Sequence, residues 1–406
     1  VINLYVSRKA LSYTFPIFFC MKALVVICDG MGDRPIEELG KKTPLEVART
    51  PNMDELAARG INGTMHPIGP GIRAGSDTSH LAILGYDPFK VYTGRGPFEA
   101  AGLGIELKPG DIAFRCNFAT IDENMVVTDR RAGRIKDTTE LAKIINTLTL
   151  PGVEIIFKSL SYRGALVLRG RGLSYKVSDS DPHYPNKKVE KVKPLDNSKE
   201  AKRTAQLVNE FTEKVQEALS GKKANMLLLR GCGAAVKLQS ITEKYGISGS
   251  CMATTAIIKG IAKSVGMNII NADLNYLKRS SRALKELEKV DFLLMNIKEA
   301  DEAGHDHNPR KKVEIIEKID EAIGVFLDFS QENYVAVLAD HTTPCSFGDH
   351  TGDPVPITIC GPEVRTDEVD KFSERANSKG GLGWIVGTNF MPILLNFMNK
   401  SEKFGA

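Results

Sequence analysis

The chain has 406 residues, 42% hydrophobic and 26% charged, with a formal net charge of +4. This length holds two domains, or one large α/β domain carrying an insertion, and the composition excludes a disordered or fibrous chain. So small a net charge excludes the strongly basic signature of a nucleic-acid binder, yet it suits a basic pocket for an anionic substrate.

Residues 1–20 hold two basic residues and then a short aromatic-rich run broken by Pro16. No small-residue cleavage site follows, so the segment reads as a leader or an over-long start outside the fold, with Met21 as the natural beginning. No run approaches the ~18 apolar residues of a membrane helix. The cysteines are odd in number, dispersed and free of C-x-x-C pairs. That pattern points to a reducing cytoplasm and away from a disulfide framework or a structural zinc site.

Ala23 to Cys28 is a continuous apolar run, the pattern of a central parallel strand covered on both faces. It ends in Asp29-Gly30-Met31-Gly32-Asp33, either an Asx turn or the acidic strand end at which open α/β sheets build sites. Thr50 and Pro51 predict the start of a short helix that stops at Gly60. Residues 61–105 are glycine-rich and read as loops walling a site. Among them, Gly75-Ser76-Asp77 precedes an apolar helical pattern. Ser76 is therefore either a helix cap or a nucleophile at an anion-favouring helix N-terminus.

From about Lys108 short strands are predicted over Ile112 to Ile121, Met125 to Thr128, Val153 to Lys158 and Ala165 to Arg169. Between them lies the cluster Arg130-Arg131-Ala132-Gly133-Arg134, which is either a solvated charged face or an anion clamp. Ser180-Asp181-Pro182-His183 is a polar turn, and a helix runs from about Ser198 to Leu219. This stretch has the texture of an α+β insertion, 106–221, within a core made of 21–105 and 222–406.

The α/β rhythm returns at Ala224 to Leu229, read as a buried strand of the main sheet. Helical patterns follow near 252–265 and 279–289, a strand at Asp291 to Ile297, a helix near 311–329, strands at Tyr334 to Ala339 and Val355 to Cys360, and a last helix near 388–398. Asp29, Asp301 and Asp340 all lie just beyond apolar strand runs. Asp301 and His305 share one face if their turn is helical, His341 adjoins Asp340, and His350 follows in a polar loop. Mixed Asp/His ligation suits Mn²⁺, Zn²⁺ or Mg²⁺, and paired centres of this kind serve phosphoryl transfer.

Residues Asp29, Ser76, Asp301, His305, Asp340, His341 and His350 resemble, in order and spacing, the alkaline phosphatase superfamily, and more closely its archaeal-type 2,3-bisphosphoglycerate-independent phosphoglycerate mutases. Supporting motifs include Cys28-Asp29-Gly30-Met31-Gly32-Asp33-Arg34-Pro35, Ala74-Gly75-Ser76-Asp77-Thr78-Ser79-His80, Gly94-Arg95-Gly96-Pro97-Phe98-Glu99-Ala100, Asp129-Arg130-Arg131-Ala132-Gly133-Arg134, Asp181-Pro182-His183 and Asp340-His341-Thr342-Thr343-Pro344. The resemblance implies an α/β fold: an alkaline-phosphatase-like core with a mainly parallel sheet flanked by helices, plus an inserted α+β lid.

The activity it implies is interconversion of 3-phosphoglycerate and 2-phosphoglycerate, in glycolysis and gluconeogenesis, through a phosphoserine on Ser76. It requires two divalent metal ions (Mn²⁺, Mg²⁺, Co²⁺ or Zn²⁺) and no 2,3-bisphosphoglycerate. Asp29, Ser76, Asp340 and His341 would hold one metal, and Asp301, His305 and His350 the other. Arg115, Arg130, Arg131 and Arg134 would clamp phosphate and carboxylate, and His183 would shuttle protons. The longer bacterial enzymes carry a lysine in a Lys-Pro-Glu motif. The matching stretch here, Gly249 to Thr254, has none, so Lys298 or Arg95 is expected to stand in. The partner is a small-molecule substrate, with neither nucleic acid nor membrane, and homo-oligomerisation is left open. A phosphatase, a phosphopentomutase-like or a homoserine-kinase-like enzyme is the alternative on the same metals, and a non-catalytic metal-binding scaffold is the third reading.

Overall fold

The computed structural model describes residues 21–405; the expected leader, 1–20, lies outside the described residues. The chain forms β1 (Ala23–Cys28) and β2 (Gly60–His66) and then leaves for a second sheet. That sheet contains β3 (Ile112–Ile121), β4 (Val127–Asp129), β5 (Glu154–Leu160), β6 (Arg163–Arg169) and β7 (Met226–Ala234). The chain returns with β8 (Gly249–Ala253), β9 (Asn268–Asn271), β10 (Phe292–Ile297), β11 (Tyr334–Leu338), β12 (Val355–Cys360) and β13 (Gly383–Val386).

The main sheet has the order β13-β2-β12-β11-β1-β10-β8-β9. Among its described strands β12 alone runs against its neighbours; the remaining pairs are parallel. Every residue of β1, β10 and β11 is buried, as a sheet covered by helices on both faces requires. Each fully buried Val, Ile or Leu in them contributes about 1.5–3 kcal/mol. Register then places the site. Cys28 pairs with Ile297 and Ile27 with Leu338, so the three strands finish level. Asp29, Lys298 and Asp340 therefore emerge together at their carboxyl ends, where open α/β sheets bind ligands.

The second sheet is antiparallel and centred on β3, which bonds β6, β7 and β4. This corrects one expectation. The sequence pattern puts Ala224 to Leu229 in the main sheet, but β7 pairs with β3 from Met226 to Ala234, so the second sheet closes only at Ala234. The misreading has a physical cause. Leu227, Leu229 and Cys232 of β7 pack into one apolar cluster and Met226 and Leu228 into another. Burial on both faces produces the same unbroken apolar run as a parallel core strand.

Two further boundaries moved. The helix near 252–265 begins only at Ala256, because 249–253 form β8. The helix near 311–329 is Pro309–Ile323, followed by two short 3-10 turns.

The two sheets meet across the helix Gly96–Gly102. A Cβ on Gly102 would lie 1.8 Å from Ala256 O, and one on Gly96 1.9 Å from Ala113 O of β3. Only glycine allows this backbone-to-backbone approach. The described cysteines are buried free thiols, and among the described residues no helix is long and apolar enough to cross a membrane.

Candidate active site

Asp29 follows β1 directly and is fully buried. Its Oδ1 accepts from Lys298 Nζ at 2.8 Å and its Oδ2 from Asn296 Nδ2 at 3.1 Å. Gly30 has φ +62°, and a Cβ there would lie 2.5 Å from Asp301 Cβ. The chain can turn beside Asp301 only because residue 30 is glycine. Gly30 N donates to Asp340 Oδ1 at 3.0 Å.

The helix Ser76–Ile83 has Gly75 as its N-cap, so Ser76 is the first helical residue and its side chain caps nothing. Ser76 Oγ instead lies 3.1 Å from His341 Nε2. Two contacts hold this turn. Tyr92 OH donates to Asp77 Oδ2 at 2.6 Å, and His80 Nδ1 donates to Ser76 O at 2.7 Å. Burial lowers the His80 pKa to about 4, so this imidazole is neutral at physiological pH.

Asp301 and His305 sit on the helix Glu299–His305, one turn apart and on one face. Asp301 Oδ2 is 3.4 Å from His305 Nε2, and Oδ1 is 3.4 Å from His350 Nε2. Oδ1 also accepts from Thr343 Oγ1 at 2.7 Å. Each imidazole is oriented through its other nitrogen: His305 Nδ1 donates to Gly348 O at 2.9 Å, His350 Nδ1 donates to Ala74 O at 2.8 Å, and His341 Nδ1 lies 3.0 Å from Thr343 Oγ1. The His341 and His350 rings stack with centroids 3.6 Å apart. Fixing the far nitrogen of a histidine in this way is how ligand imidazoles are held for a metal.

Do these residues fit divalent cations? Asp29, Asp301 and Asp340 are all buried, and of the described lysines and arginines Lys298 alone forms ion pairs with them, touching Asp29 and Asp301. Asp340 Oδ2 is buried with no hydrogen-bond partner. Burial and then the Asp29 charge push the Asp340 carboxyl well above the usual range. Burial alone would lower the Lys298 pKa, but the Asp29 and Asp301 carboxylates outweigh it and raise it. A buried excess of negative charge with an orphaned carboxylate oxygen is costly unless a cation joins it. Two sets offer ligand atoms within 4.8 Å of one another: Asp301 with His305 and His350, and Asp29 with Asp301 and His341. The donor chemistry fits.

A second cluster lies on the antiparallel sheet. Glu99 Oε1 accepts from Arg95 Nε at 2.9 Å and sits 3.6 Å from Arg115 Nε. Arg130 grips Asp181 with both Nε and Nη2, at 3.2 and 2.6 Å. Arg230 Nη1 is 3.8 Å from the same carboxylate. His183 Nε2 lies 3.1 Å from Asp179 Oδ2.

Arg230 was absent from the sequence-derived set. It pairs in register with Arg115 on β3, which places two guanidiniums side by side. Burial and then the neighbouring guanidiniums disfavour the charge on Arg115; burial lowers the Arg230 pKa as well, although the Asp181 carboxylate partly offsets it. Arg115 Nε is buried without a hydrogen-bond partner. A lone cation inside the apolar run Met226 to Leu229 and beyond was the available signal. Arg131 and Arg134 are exposed, and the structure does not bring them into this cluster.

The model of the family described as 2,3-bisphosphoglycerate-independent phosphoglycerate mutase matches residues 57–225. The chain is 51% identical to the 2,3-bisphosphoglycerate-independent phosphoglycerate mutase 1 of Methanothermobacter thermautotrophicus, over 95% of this chain and 100% of that protein. A solved structure of a Pyrococcus horikoshii protein superposes with a TM-score of 0.81 at 37% identity, covering 95% of this chain and 99% of the other. The cofactor-independent phosphoglycerate mutase of Thermoplasma acidophilum gives 0.69 at 36% identity, covering 93% and 100%. On this similarity, spread along nearly its whole length, the chain belongs to the 2,3-bisphosphoglycerate-independent phosphoglycerate mutases.

Proposed function

We propose that Ser76 carries the phosphoryl group as this isomerase interconverts 3-phosphoglycerate and 2-phosphoglycerate, with divalent metals held by Asp29, Ser76, Asp340 and His341 and by Asp301, His305 and His350. The observation that carries this reading is Ser76 Oγ, 3.1 Å from His341 Nε2, beside three buried carboxylates, Asp29, Asp301 and Asp340. When bound, the metals supply positive charge to the phosphoryl oxygens and lower the pKa of the serine hydroxyl.

The protein's own residues do the remainder. Ser76, as alkoxide, forms a bond from Oγ to phosphorus while the bond from phosphorus to O3 breaks. O3 takes up a proton. The glycerate reorients, O2 gives up a proton and attacks the phosphoserine, and Ser76 leaves as the alkoxide. One imidazole that donates and then accepts leaves the proton count unchanged. His183 suits this role, because Nε2 rests on Asp179 Oδ2 at 3.1 Å and leaves Nδ1 for the substrate.

The helix N-terminus at Ser76 favours the anionic phosphoryl group. Lys298 and Arg95 are the cations beside it, in place of the Lys-Pro-Glu lysine. Arg115 and Arg130 orient phosphate and carboxylate through paired N–H donors. The insertion serves as the lid that keeps water from the phosphoserine. The site of action is the cytoplasm, in keeping with the buried free thiols.

The test is to incubate the protein with 3-phosphoglycerate and Mn²⁺, without 2,3-bisphosphoglycerate, and couple to enolase. Enolase-coupled signal is expected. Release of inorganic phosphate with no 2-phosphoglycerate would replace the mutase by a phosphatase.

A further inference from the structure

Among the described residues, one lysine outside the site above is fully buried. Lys312 lies on the helix Pro309–Ile323, with no exposed surface. A buried ammonium is tolerated only when paired and fully hydrogen-bonded, and Lys312 uses all three of its donors. Nζ bonds Gly32 O, Asp33 Oδ2 and Thr343 O, each at 2.9 Å. Gly32 and Asp33 belong to the loop that begins at Asp29. Thr343 belongs to the loop that begins at Asp340 and His341. Lys312 itself stands on the helix that follows Asp301 and His305. One ammonium thus ties three of the four chain segments that carry the proposed ligand residues, the helix of Ser76 being the fourth.

The tie has independent stitches. Asp33 also accepts from Cys345 N at 3.1 and 3.2 Å through its two oxygens. Thr343 N donates to Gly32 O at 3.1 Å. A Cβ on Gly304 would lie 2.4 Å from Thr343 O, so the ligand-bearing helix packs directly on the same carbonyl that Lys312 holds. Thr343 passes this placement on to the site: its Oγ1 donates to Asp301 Oδ1 at 2.7 Å and lies 3.0 Å from His341 Nδ1. Thr343 touches a residue of each proposed ligand set, and Lys312 fixes its backbone.

We infer that Lys312 is a positioning residue for the metal centre, setting the separation of the Asp29 and His341 loops by clamping Gly32, Asp33 and Thr343. This rests on the metal reading given above. Replacing a group that bonds a ligand directly, as Thr343 does, typically costs 10–100-fold in metal affinity, and Lys312 holds that group in place.

The test is Mn²⁺ binding by calorimetry on the full chain after dialysis against chelator, alongside thermal melting in chelator. Lys312→Met leaves Asp33 buried and unpaired and is expected to melt earlier and to bind Mn²⁺ at least tenfold more weakly. If it fails to fold, Lys312→Met with Asp33→Asn removes both charges. That pair should recover melting temperature without recovering Mn²⁺ affinity, which a purely structural lysine would not produce. Thr343→Val, which loses only the hydroxyl, is expected to weaken Mn²⁺ binding while melting near the wild type.

Wild-type Mn²⁺ affinity in the folded single or double Lys312 variant overturns the inference and leaves the metal reading standing. Absence of Mn²⁺ binding by the wild-type chain overturns the metal reading, and the inference with it.

Discussion

Ser76 Oγ lies 3.1 Å from His341 Nε2, although the two residues are 265 positions apart in the chain. The helix that begins at Ser76 is capped by Gly75, so the hydroxyl is not consumed by the backbone. Ser76→Ala is expected to abolish formation of 2-phosphoglycerate, with metal content near that of the wild type. Elemental analysis beside the enolase-coupled assay checks both halves. Full activity in the alanine variant would remove Ser76 as the nucleophile.

Metal removal should be visible in stability as well as in activity. Asp29, Asp301 and Asp340 are buried together with a single lysine. A cation that binds only the folded state stabilises it by about 2.7 kcal/mol at a hundredfold excess over its dissociation constant. The chelated protein is expected to melt several degrees below the Mn²⁺-loaded protein, with a melting temperature that climbs as Mn²⁺ is added. A melting curve indifferent to chelator would show that the carboxylates hold no cation.

His80 carries the expected pH effect. Burial lowers its pKa to about 4, so as pH falls through 6.5 the unfolded chain gains a proton that the folded imidazole refuses. Stability is therefore full above pH 6.5 and is lost on acidification, by an amount on the order of 3 kcal/mol once pH reaches the folded pKa. Long-range ¹H–¹⁵N NMR of the metal-free protein should find His80 neutral at pH 5.5, with the proton on Nδ1 where it bonds Ser76 O. A doubly protonated ring at that pH would contradict the assignment.

Arg230 tests the second cluster. It faces Arg115 across β3 and β7, and two adjoining guanidiniums are tolerable when an anion lies between them. Arg230→Ala is expected to raise KM for 3-phosphoglycerate at least tenfold, roughly 1.5 kcal/mol for a lost charged hydrogen bond. The melting temperature should hold or rise as the like-charge repulsion is relieved. Steady-state kinetics with a thermal melt separates the two. An unchanged KM would move the anion site away from β7.

The chemistry of the site was legible in the sequence because its residues follow a simple local rule. An unbroken apolar run predicts a strand buried on both faces, and an acidic residue just after it stands at the sheet edge where ligands bind. Asp29 and Asp340 announce themselves in this way, and Asp301 and His305 follow from helical spacing. Arg130, Arg131 and Arg134 are equal in sequence, yet Arg130 alone of the three pairs with Asp181 among the described residues, while Arg131, Arg134 and His183 are exposed.

What sequence alone could not decide was anything set by pairing between distant segments. The same apolar run that marks a core strand also describes β7, which is buried on both faces of the other sheet. Arg230 comes beside Arg115 only because β7 lies in register with β3. Ser76 is a plausible cap by composition and loses that role only because Gly75 takes the cap position and His341 arrives from the far end of the chain. Lys312 reads as one more charge on an amphipathic helix until the fold closes three loops around its ammonium. Local sequence specifies which side chains can do chemistry; long-range strand register and burial decide which of them meet.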